Sequence, residues 1–492
     1  MGNHVGRSVN NSSKKTGGPA VPSSGENRSG KTISRSASGN DMEHNSVASF
    51  LPIEKLTKML AEHAHKEESV NGITLGVIEK YLFPHYPELA ARIFKYLHHL
   101  SKATTQHLGQ SAFEQQAEKL LSIMNDEIIL ESYVNMYSDM TSESEVTPES
   151  LRELFMVSYK IAIDDESSTC PFIHSSINAV LVSCFHGKSS LSVGYVSNWL
   201  KQNCPRIIHG LHRYIVHVLT TAYRNGPVLL SREELQPRME PVTPVVEKSL
   251  FTDQQAAPLL PMSHVWLLAT SLPLCYTQVE DTPGDGTRAL IVKMSGNPCP
   301  SHWTLLYNSE QHGTGANRFL HHVLGYRGPT LLFVRAVSPN ENETNPIYCV
   351  CASVEWRETH LYWGNEDSMI IELQPSYKVI ERGAKLVYLN TGIRGYPLGL
   401  RAGSNPRNPS VNIDESFSSV SFGGVTHRIA SLEVWGCGDR KSREKQLEIK
   451  KWQVKEAEKQ RVVKLSTSDW LDHPDRYLLE LAGRPSYNNE GS

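Results

Sequence analysis

Three residues in the second half of the chain could in principle form a hydrolytic triad: Ser309, His312 and Asp414. In such a triad the histidine takes the serine proton and the carboxylate orients the imidazole. Ser309, however, does not lie in the Gly-x-Ser-x-Gly turn that exposes a hydrolase nucleophile. We therefore interpret the three residues as structural and expect no enzymatic activity. In this interpretation His312 begins a helix, and Gly313 permits a tight turn.

Eight cysteines could offer metal or redox chemistry. Cys349 and Cys351 would share one face of a strand, but no second Cys or His pair lies at the spacing of a zinc site. Cys437, between two glycines, could be a redox-accessible thiol, although a core position is the favoured interpretation. No secretory signal follows Met1, so we expect reduced cytosolic thiols. We also expect no metal and no cofactor.

Several glycines could belong to phosphate-binding loops, namely Gly395, Gly399, Gly423 and Gly424. Their spacing matches neither the P-loop nor the dinucleotide-binding fingerprint. We therefore predict that they form turns. Trp435 is large and apolar, so we interpret it as a core residue.

Residues 139–150 have the oxygen-rich look of a calcium-binding EF-hand loop. Asp139, Thr141 and Glu143 occupy loop positions 1, 3 and 5. Position 6 is Ser144 where the sharp turn requires glycine, and position 12 is Ser150 where calcium requires a bidentate glutamate. The sequence therefore predicts a degenerate, EF-hand-like loop without dependable calcium binding.

The N-terminal residues could carry a lipid. Removal of Met1 would expose Gly2, as in an N-myristoylation signal, although position 6 is Gly6 and not Ser or Thr. Residues 1–47 are rich in Ser, Asn, Gly and Lys, and we predict a disordered basic tail. A basic stretch beside an acyl chain supplies the second signal that stable membrane attachment requires. An ordinary disordered tail is the alternative.

The composition is typical of a folded protein. Its length of 492 residues predicts two or three domains, since it is long for one core. The net charge of −3 argues against nucleic-acid binding by the whole protein. No apolar run approaches the roughly 20 residues that span a bilayer.

Apolar residues at helical spacing from Ser49 onward predict an all-helical, EF-hand-like domain over residues 48–235. Beyond its first helix, helices are predicted at 74–83, 88–100, 111–125, 127–138, 148–162, 173–186, 191–201 and 206–223. Five prolines then mark a linker over residues 236–261.

Residues 262–438 read differently, with many short apolar runs between glycines and prolines. A helix is predicted at 262–271, an embedded helix at 312–324, and strands at 303–308, 330–336, 347–356, 360–363, 368–373, 385–390, 419–422 and 431–437. Such a pattern is typical of an antiparallel β-sandwich with flanking helices. The predicted fold class is therefore α+β with several domains.

Residues 439–492 form a charged C-terminal segment, which we predict to be helical over 439–464. This helix has only a ragged apolar stripe, so it should lie on the surface or dock onto another protein. We select as partner-binding residues Arg443, Leu447, Lys450, Lys451, Trp452 and Lys455. A solvated charged helix and a calmodulin-type or membrane-surface helix are the alternatives.

Several blocks of the chain resemble the TLDc domain family over residues 245–438. They include Leu305–Tyr307, Tyr362–Ser368 and Leu432–Cys437. The structural positions of this motif are His312, Gly313, Gly328, Pro329, Gly423, Gly424, Glu433, Trp435 and Gly436. The chain departs from the family at Cys349–Ala352, where Phe-Gly-Ala is common.

The complete layout resembles a branch of that family whose members are myristoylated, lysosomal and associated with the mTOR kinase. The resemblance implies a non-enzymatic adaptor in the cytoplasm, peripheral on the lysosomal membrane. It implies binding to the V-ATPase through the TLDc domain and the C-terminal helix, and the mTOR kinase complex as a second partner. Calmodulin is a further candidate partner. Other relatives are linked to oxidative-stress resistance, so redox chemistry at Cys437 is the alternative function.

Overall fold

The computed structural model describes residues 53–139, 144–163, 170–224, 259–277, 302–339 and 344–461, and the single positions 300, 478 and 481. Gly2, the basic tail and most of the predicted linker lie outside these residues. The described chain is α+β, as predicted: helices come first, an antiparallel sheet follows, and a long helix ends it. None of the described helices has the length and apolar character needed to cross a bilayer.

The described residues before 225 are mainly helical, as the apolar spacing predicts, with two short strands that were not predicted. The helices are α1 (Ile53–Glu68), α2 (Leu75–Tyr81), α3 (Pro87–Ser101), α4 (Gln110–Leu121), α5 (Asp126–Met136), α6 (Pro148–Ile163), α7 (Ile173–Phe185), α8 (Val193–Asn203) and α9 (His209–Thr221). Local chemistry sets their starts: α3 and α6 begin at prolines, whose missing N–H is not needed there. Asn125 caps α5 by accepting hydrogen bonds from two backbone amides.

The loops between these helices are joined in pairs by short antiparallel bridges. Ile73 and Leu108 exchange two backbone hydrogen bonds of 2.8 and 2.9 Å. In the second pair, strand β1 (Glu145–Val146) lies beside strand β2 (Leu191–Ser192). Consecutive helix–loop–helix units are therefore coupled through their loops.

The second half of the described chain forms one antiparallel sheet. Its strands are β3 (Thr304–Asn308), β4 (Thr330–Ala336), β5 (Ile347–Ala352), β6 (Met369–Gln374), β7 (Lys378–Arg382), β8 (Val387–Asn390), β9 (Gly399–Ala402), β10 (Val411–Ile413), β11 (Ser419–Phe422) and β12 (Val425–Gly436). They lie in the order β7-β6-β5-β4-β12-β11-β10-β9-β8, and β3 also pairs with β12. Four more helices accompany them: α10 (Met262–Ser271), α11 (Leu274–Thr277), α12 (Ser309–His312) and α13 (Ala316–Val323).

The sheet has two apolar faces, and each is buried. Leu331 and Phe333 of β4 belong to a core shared with the helical region. Their neighbours Leu332 and Val334 point the other way, into a second core with β8 to β11. The stacked rings of Tyr348 and Phe422, 3.8 Å apart, join the two halves of the sheet across this core. The sheet therefore folds back on itself as a sandwich.

Several sequence predictions are wrong in detail. The predicted strand at 360–363 is a single bridge between Trp363 and Val387. The predicted helix at 312–324 is two helices, because Gly313 and Gly315 adopt positive φ values of 82° and 119°. His312 thus ends α12 and does not begin a helix.

Strands β7, β9 and β10 were not predicted, because they are short and partly polar. Gly399, predicted to lie in a turn, opens β9, where a Cβ atom would lie 2.2 Å from the carbonyl oxygen of Ile413. The strand therefore requires glycine at this close approach.

Direct hydrogen bonds fix the helical region to the sheet. The side-chain oxygen of Asn203, at the end of α8, accepts from the backbone N–H of Val379 in β7 at 2.8 Å. The N–H of Tyr377 donates to the carbonyl of Ala179 in α7 at 3.0 Å. The helices and the sheet therefore form one hydrophobic core, which the sequence did not predict.

The end of β12 packs tightly against Tyr326. The Tyr326 hydroxyl accepts a hydrogen bond from the N–H of Gly438 at 2.8 Å, and the ring is buried. A Cβ atom on Gly436 would lie 2.6 Å from the ring, and one on Gly328 would lie 2.7 Å from Gly438. These glycines are required because backbone and aromatic ring approach closely here.

We predict that Gly436→Ala destabilises the fold by about 1–3 kcal/mol, because the added methyl group must displace a buried ring. Chemical denaturation of the full chain should show the loss as a lower midpoint. Gly194→Ala, which has nothing within 4 Å of its added methyl group, is the matched control. It should leave stability unchanged or slightly raised, since it lies in α8. Equal midpoints for the two variants would contradict the packing argument.

Candidate functional site: the C-terminal helix

The last described helix, α14 (Arg440–Arg461), follows directly from the Tyr326 junction. Asp439 caps it: its carboxylate accepts from the N–H and the hydroxyl of Ser442 at 2.8 and 2.6 Å. The hydrogen bond from Ser442 lowers the pKa of Asp439 below its usual value. The helix therefore begins one residue later than predicted, at Arg440.

One side chain docks the base of α14 onto the sheet domain. Gln446 is fully buried, although it stands among charged residues. Its amide donates to the carbonyls of His322 and Leu324 at 2.9 and 3.1 Å, at the C-terminal end of α13. Those carbonyls have no partner within α13, so Gln446 caps that helix from a distant part of the chain.

The neighbours of Gln446 complete this contact. Arg443 donates a hydrogen bond to the Gln446 side-chain oxygen, which fixes the orientation of the amide. Ile449, one turn further along, packs over Gly325 at the end of α13. We call Arg443, Gln446 and Ile449 the docking face of α14.

The outer part of α14 turns apolar side chains toward solvent. Leu447 is 43% exposed, Trp452 64% and Val454 54%. Lys451 and Lys455 are also exposed beside them. An exposed tryptophan rimmed by lysines is typical of a surface that contacts another molecule. Four of the predicted partner-binding residues therefore lie on this outer face: Leu447, Lys451, Trp452 and Lys455.

The two remaining predicted partner-binding residues, Arg443 and Lys450, are half-buried and turn toward the sheet domain. Burial, with the nearby Arg443 second, lowers the pKa of Lys450 to about 8. They approach His312 and His322, whose rings stack with centroids 3.9 Å apart. The helix thus presents two different cationic faces, which its sequence alone does not separate.

The residues of the hypothetical triad each bond elsewhere. The Ser309 hydroxyl accepts from the N–H of Leu432, and His312 Nδ1 accepts from the N–H of Asn308. The Asp414 carboxylate accepts from backbone amides of its own turn. No hydrogen bond joins any two of these three described residues, so their geometry supports structural roles.

Other motif residues meet at the closing strand. Glu433 is buried and accepts from the side chains of Asn308 and Trp435, at 3.1 and 2.9 Å. Burial raises the pKa of this carboxyl above its usual value. Pro329 accepts from the N–H of Cys437 at 2.7 Å. Gly423 and Gly424, both with positive φ, form the tight turn between β11 and β12.

The thiols of the sheet are buried. The sulfur atoms of Cys349 and Cys351 lie 3.7 Å apart, and burial raises the pKa of Cys349 well above its usual value. Burial does the same for Cys437, which is 1% exposed. Since the thiolate is the reactive form, this environment disfavours redox chemistry. Among the described cysteines, only Cys275 is exposed.

The loop that resembles an EF-hand uses its polar groups internally. The Asp139 carboxylate accepts from the N–H of Glu145 at 3.0 Å. Ser150, at loop position 12, accepts from the Thr147 hydroxyl at 3.2 Å. Residues 140–143 of this loop lie outside the described chain. In the part that is described, no three His, Cys, Asp or Glu residues are grouped to hold a metal ion.

Sequence reasoning missed Gln446, the residue that determines where α14 lies. A glutamine between charged residues carries no signal of burial. Its role depends on open carbonyl groups that a separate helix leaves more than one hundred residues earlier in the chain. The stacked histidines were missed for the same reason.

Comparison with known proteins places a TLDc domain at residues 295–438. This confirms the predicted family resemblance for that segment, which begins later than the predicted residue 245. The chain is also similar to fungal proteins called "Restriction of telomere capping protein 5". The protein of Leptosphaeria maculans is 24% identical over 269 residues, covering 40% of this chain and 43% of the relative. That of Lachancea thermotolerans is 32% identical over 174 residues, or 30% of each chain. The chain thus spans less than half the length of these relatives.

We predict that Gln446→Ala releases the base of α14, because the α13 carbonyls lose their buried donor. A loss of about 1–3 kcal/mol of docking energy corresponds to roughly 5- to 160-fold faster amide hydrogen exchange along α14. Mass spectrometry of the exchanged peptides measures this directly.

Gln453→Ala is the matched control for this experiment, because Gln453 lies exposed on the same helix. It should leave exchange close to that of the unmodified protein. If both variants exchange alike, Gln446 does not hold the helix.

Proposed function

We propose that this chain is a non-enzymatic adaptor that acts through its TLDc domain and its C-terminal helix on the V-ATPase. It would bind the proton pump from the cytoplasmic side of the lysosomal membrane and support growth signalling through the mTOR kinase complex. The TLDc domain supports the relationship to that family. Binding to the pump, to the kinase complex and to the membrane is inferred from the layout of the chain.

One observation carries the proposal: Trp452 is exposed on a helix whose base is firmly docked. A tryptophan side chain loses little conformational entropy on binding and buries a large apolar area, so it favours association when a partner covers it. Leu447 and Val454 are exposed on a separate stripe of the helix, and Lys451 and Lys455 lie between that stripe and Trp452. Such a surface fits an acidic partner protein with an apolar groove.

Membrane attachment would come from the N-terminus. An acyl chain on Gly2 and the basic residues that follow it would together supply the two signals that stable anchoring requires. These residues lie outside the described chain, so their role stays a prediction.

The paired loops of the helical region favour an EF-hand-like origin. Two helix–loop–helix units joined by a short antiparallel bridge are the arrangement of EF-hand pairs, and the described helices before residue 225 are linked by two such bridges. The internal bonding of Asp139 and Ser150 supports a structural and not a calcium-sensing role. Calmodulin would instead compete for the lysine-rich outer face of α14.

The alternative function is oxidative-stress resistance through redox chemistry at Cys437. Its burial and its raised pKa disfavour this reading. The relatives' name refers to telomere capping, and the net charge of −3 gives no support for nucleic-acid binding here.

We predict that Trp452→Ala weakens binding to detergent-solubilised V-ATPase by about tenfold or more, as expected for a central aromatic contact. Affinity purification followed by quantitative immunoblotting measures the bound pump. Tyr195→Ala, an exposed aromatic residue on α8, is the matched control and should bind as the unmodified protein does.

A Gly2→Ala arm separates the two parts of the proposal. It should reduce recovery of the protein with lysosomal membranes, leaving only the part held by the pump, while binding to the solubilised pump stays intact. Undiminished pump binding by Trp452→Ala would reject the outer face of α14 as the binding surface.

We predict that Cys275 reacts with a maleimide in the native protein, whereas Cys437 reacts only after denaturation, because the first thiol is exposed and the second is buried. Peptide mass spectrometry assigns the labelled residues. Rapid labelling of native Cys437 would instead support the redox alternative.

A further inference from the structure

Cationic and imidazole side chains from three elements meet at the base of α14. His312 ends α12, His321 and His322 lie on α13, and Arg443 and Lys450 come from α14. The His322 ring stacks on His312 at 3.9 Å and meets the edge of His321 at 5.1 Å. We call these five residues the basic cluster.

No acidic side chain balances this cluster within the described chain. None of its five residues forms an ion pair with a described carboxylate. Two of the four acidic residues of α14 pair with other cations: Glu444 with Arg440 and Glu456 with Lys459. Glu310 lies near His312 on α12, but its electrostatic interactions are with Arg335 and Glu433.

Burial and the positive charge of the cluster both disfavour protonation of its histidines. Burial, followed by His312, Lys450, His321 and Arg443, lowers the pKa of His322 to about 4. Burial, then Lys450 and Arg443, lowers that of His312. The Tyr307 ring also faces both imidazoles, with centroids 5.9 Å from His312 and 6.1 Å from His322. A tyrosine is uncharged at neutral pH, and burial raises the pKa of Tyr307 further. Every charged group acting on the two histidines is positive.

The C-terminal end of α13 offers only weak compensation. Its carbonyls carry about half a negative charge in total, and Gln446 already binds them. Arg443 and Lys450 together carry close to two positive charges at neutral pH, because the pKa of Lys450 is about 8. The cluster is half-exposed, so a ligand could reach it from solvent.

We propose that the basic cluster binds a phosphate monoester, either on a soluble inositol phosphate or on a phosphoinositide headgroup. A phosphate monoester carries about −1.5 to −2 charges near neutral pH, which matches the two fixed cations. Its oxygens accept the hydrogen bonds that a guanidinium, an ammonium and protonated imidazoles donate. A single carboxylate would balance only one of the two cations. This inference does not depend on the pump proposal.

Binding should be coupled to protonation of the histidines and of Lys450, whose pKa is about 8 in the free protein. An anion favours their charged form, so it raises the pKa values that burial and repulsion lower in the free protein. The complex therefore takes up protons, and affinity rises as the pH falls from 8 toward 6. The gain ends near pH 4, where the free His322 would also become protonated.

The test is calorimetric titration of the full chain with inositol 1,4,5-trisphosphate at pH 8, 7 and 6. Sulfate, whose charge does not change over this range, isolates protonation of the protein. Both anions should bind more tightly at pH 6 than at pH 8. Vesicles of phosphatidylcholine with and without phosphatidylinositol 4,5-bisphosphate form the second arm. Stronger binding to these vesicles than to the soluble trisphosphate would assign the site to a lipid headgroup, and the reverse would assign it to a soluble ligand.

Lys450→Gln should weaken binding about tenfold, the loss expected for one charge-assisted contact. Lys445→Gln removes the same charge from an exposed position on the same helix and is the matched control. Hydrogen exchange along α14 checks that both variants keep the helix docked. Absence of binding to either probe, or equal weakening by both variants, would overturn the proposal.

Discussion

The backbone pairing of β12 is the constraint on which the rest of the structure depends. Its first residues pair with β11, and its later residues pair with β4 on one side and β3 on the other. The strand therefore belongs to both halves of the sandwich and holds them in one register. A shift of one residue would turn every apolar side chain of β12 to the wrong face. Its end at Gly436 then fixes the point from which α14 leaves the sheet.

Packing on the two faces of the sheet gives the molecule one framework. The inner face is closed by the second half of the sheet, and the outer face is closed by helices of the first half of the chain. Apolar contact alone does not define how the helices are oriented on the sheet. Hydrogen bonds such as that from the Val379 N–H to the Asn203 side chain fix this orientation. The helical region and the sheet thus share one core, the base of α14 is hydrogen-bonded to the sheet domain, and the outer part of α14 is exposed.

The spacing of apolar residues predicted the elements whose formation depends on nearby residues. The helices before residue 225, the helix at 262–271 and most strands follow from apolar spacing, proline and glycine. The turn at Gly423-Gly424 also follows from its residues, since both need positive φ. Strands β7, β9 and β10 were missed because they are short and partly polar, although each pairs with a strand that is its neighbour in sequence. For the candidate site, the ragged apolar stripe of α14 predicted that the helix lies on the surface or docks onto a partner. The docking face and the basic cluster were not predicted, because both depend on the end of α13.

The Gln446 contact has a consequence for how α14 can move. The amide meets carbonyls at one position along the helix, and its neighbours there are Lys445 and Leu447. Sliding by one residue would place an ammonium stem or an isobutyl group against those oxygens, and neither can replace a neutral amide in so small a space. The contact can therefore form in only one register of the helix, so the base of α14 is either docked in that register or released. A partner bound at Trp452 could displace the base of α14 only by breaking the Gln446 contact completely, and not by shifting the helix in small steps.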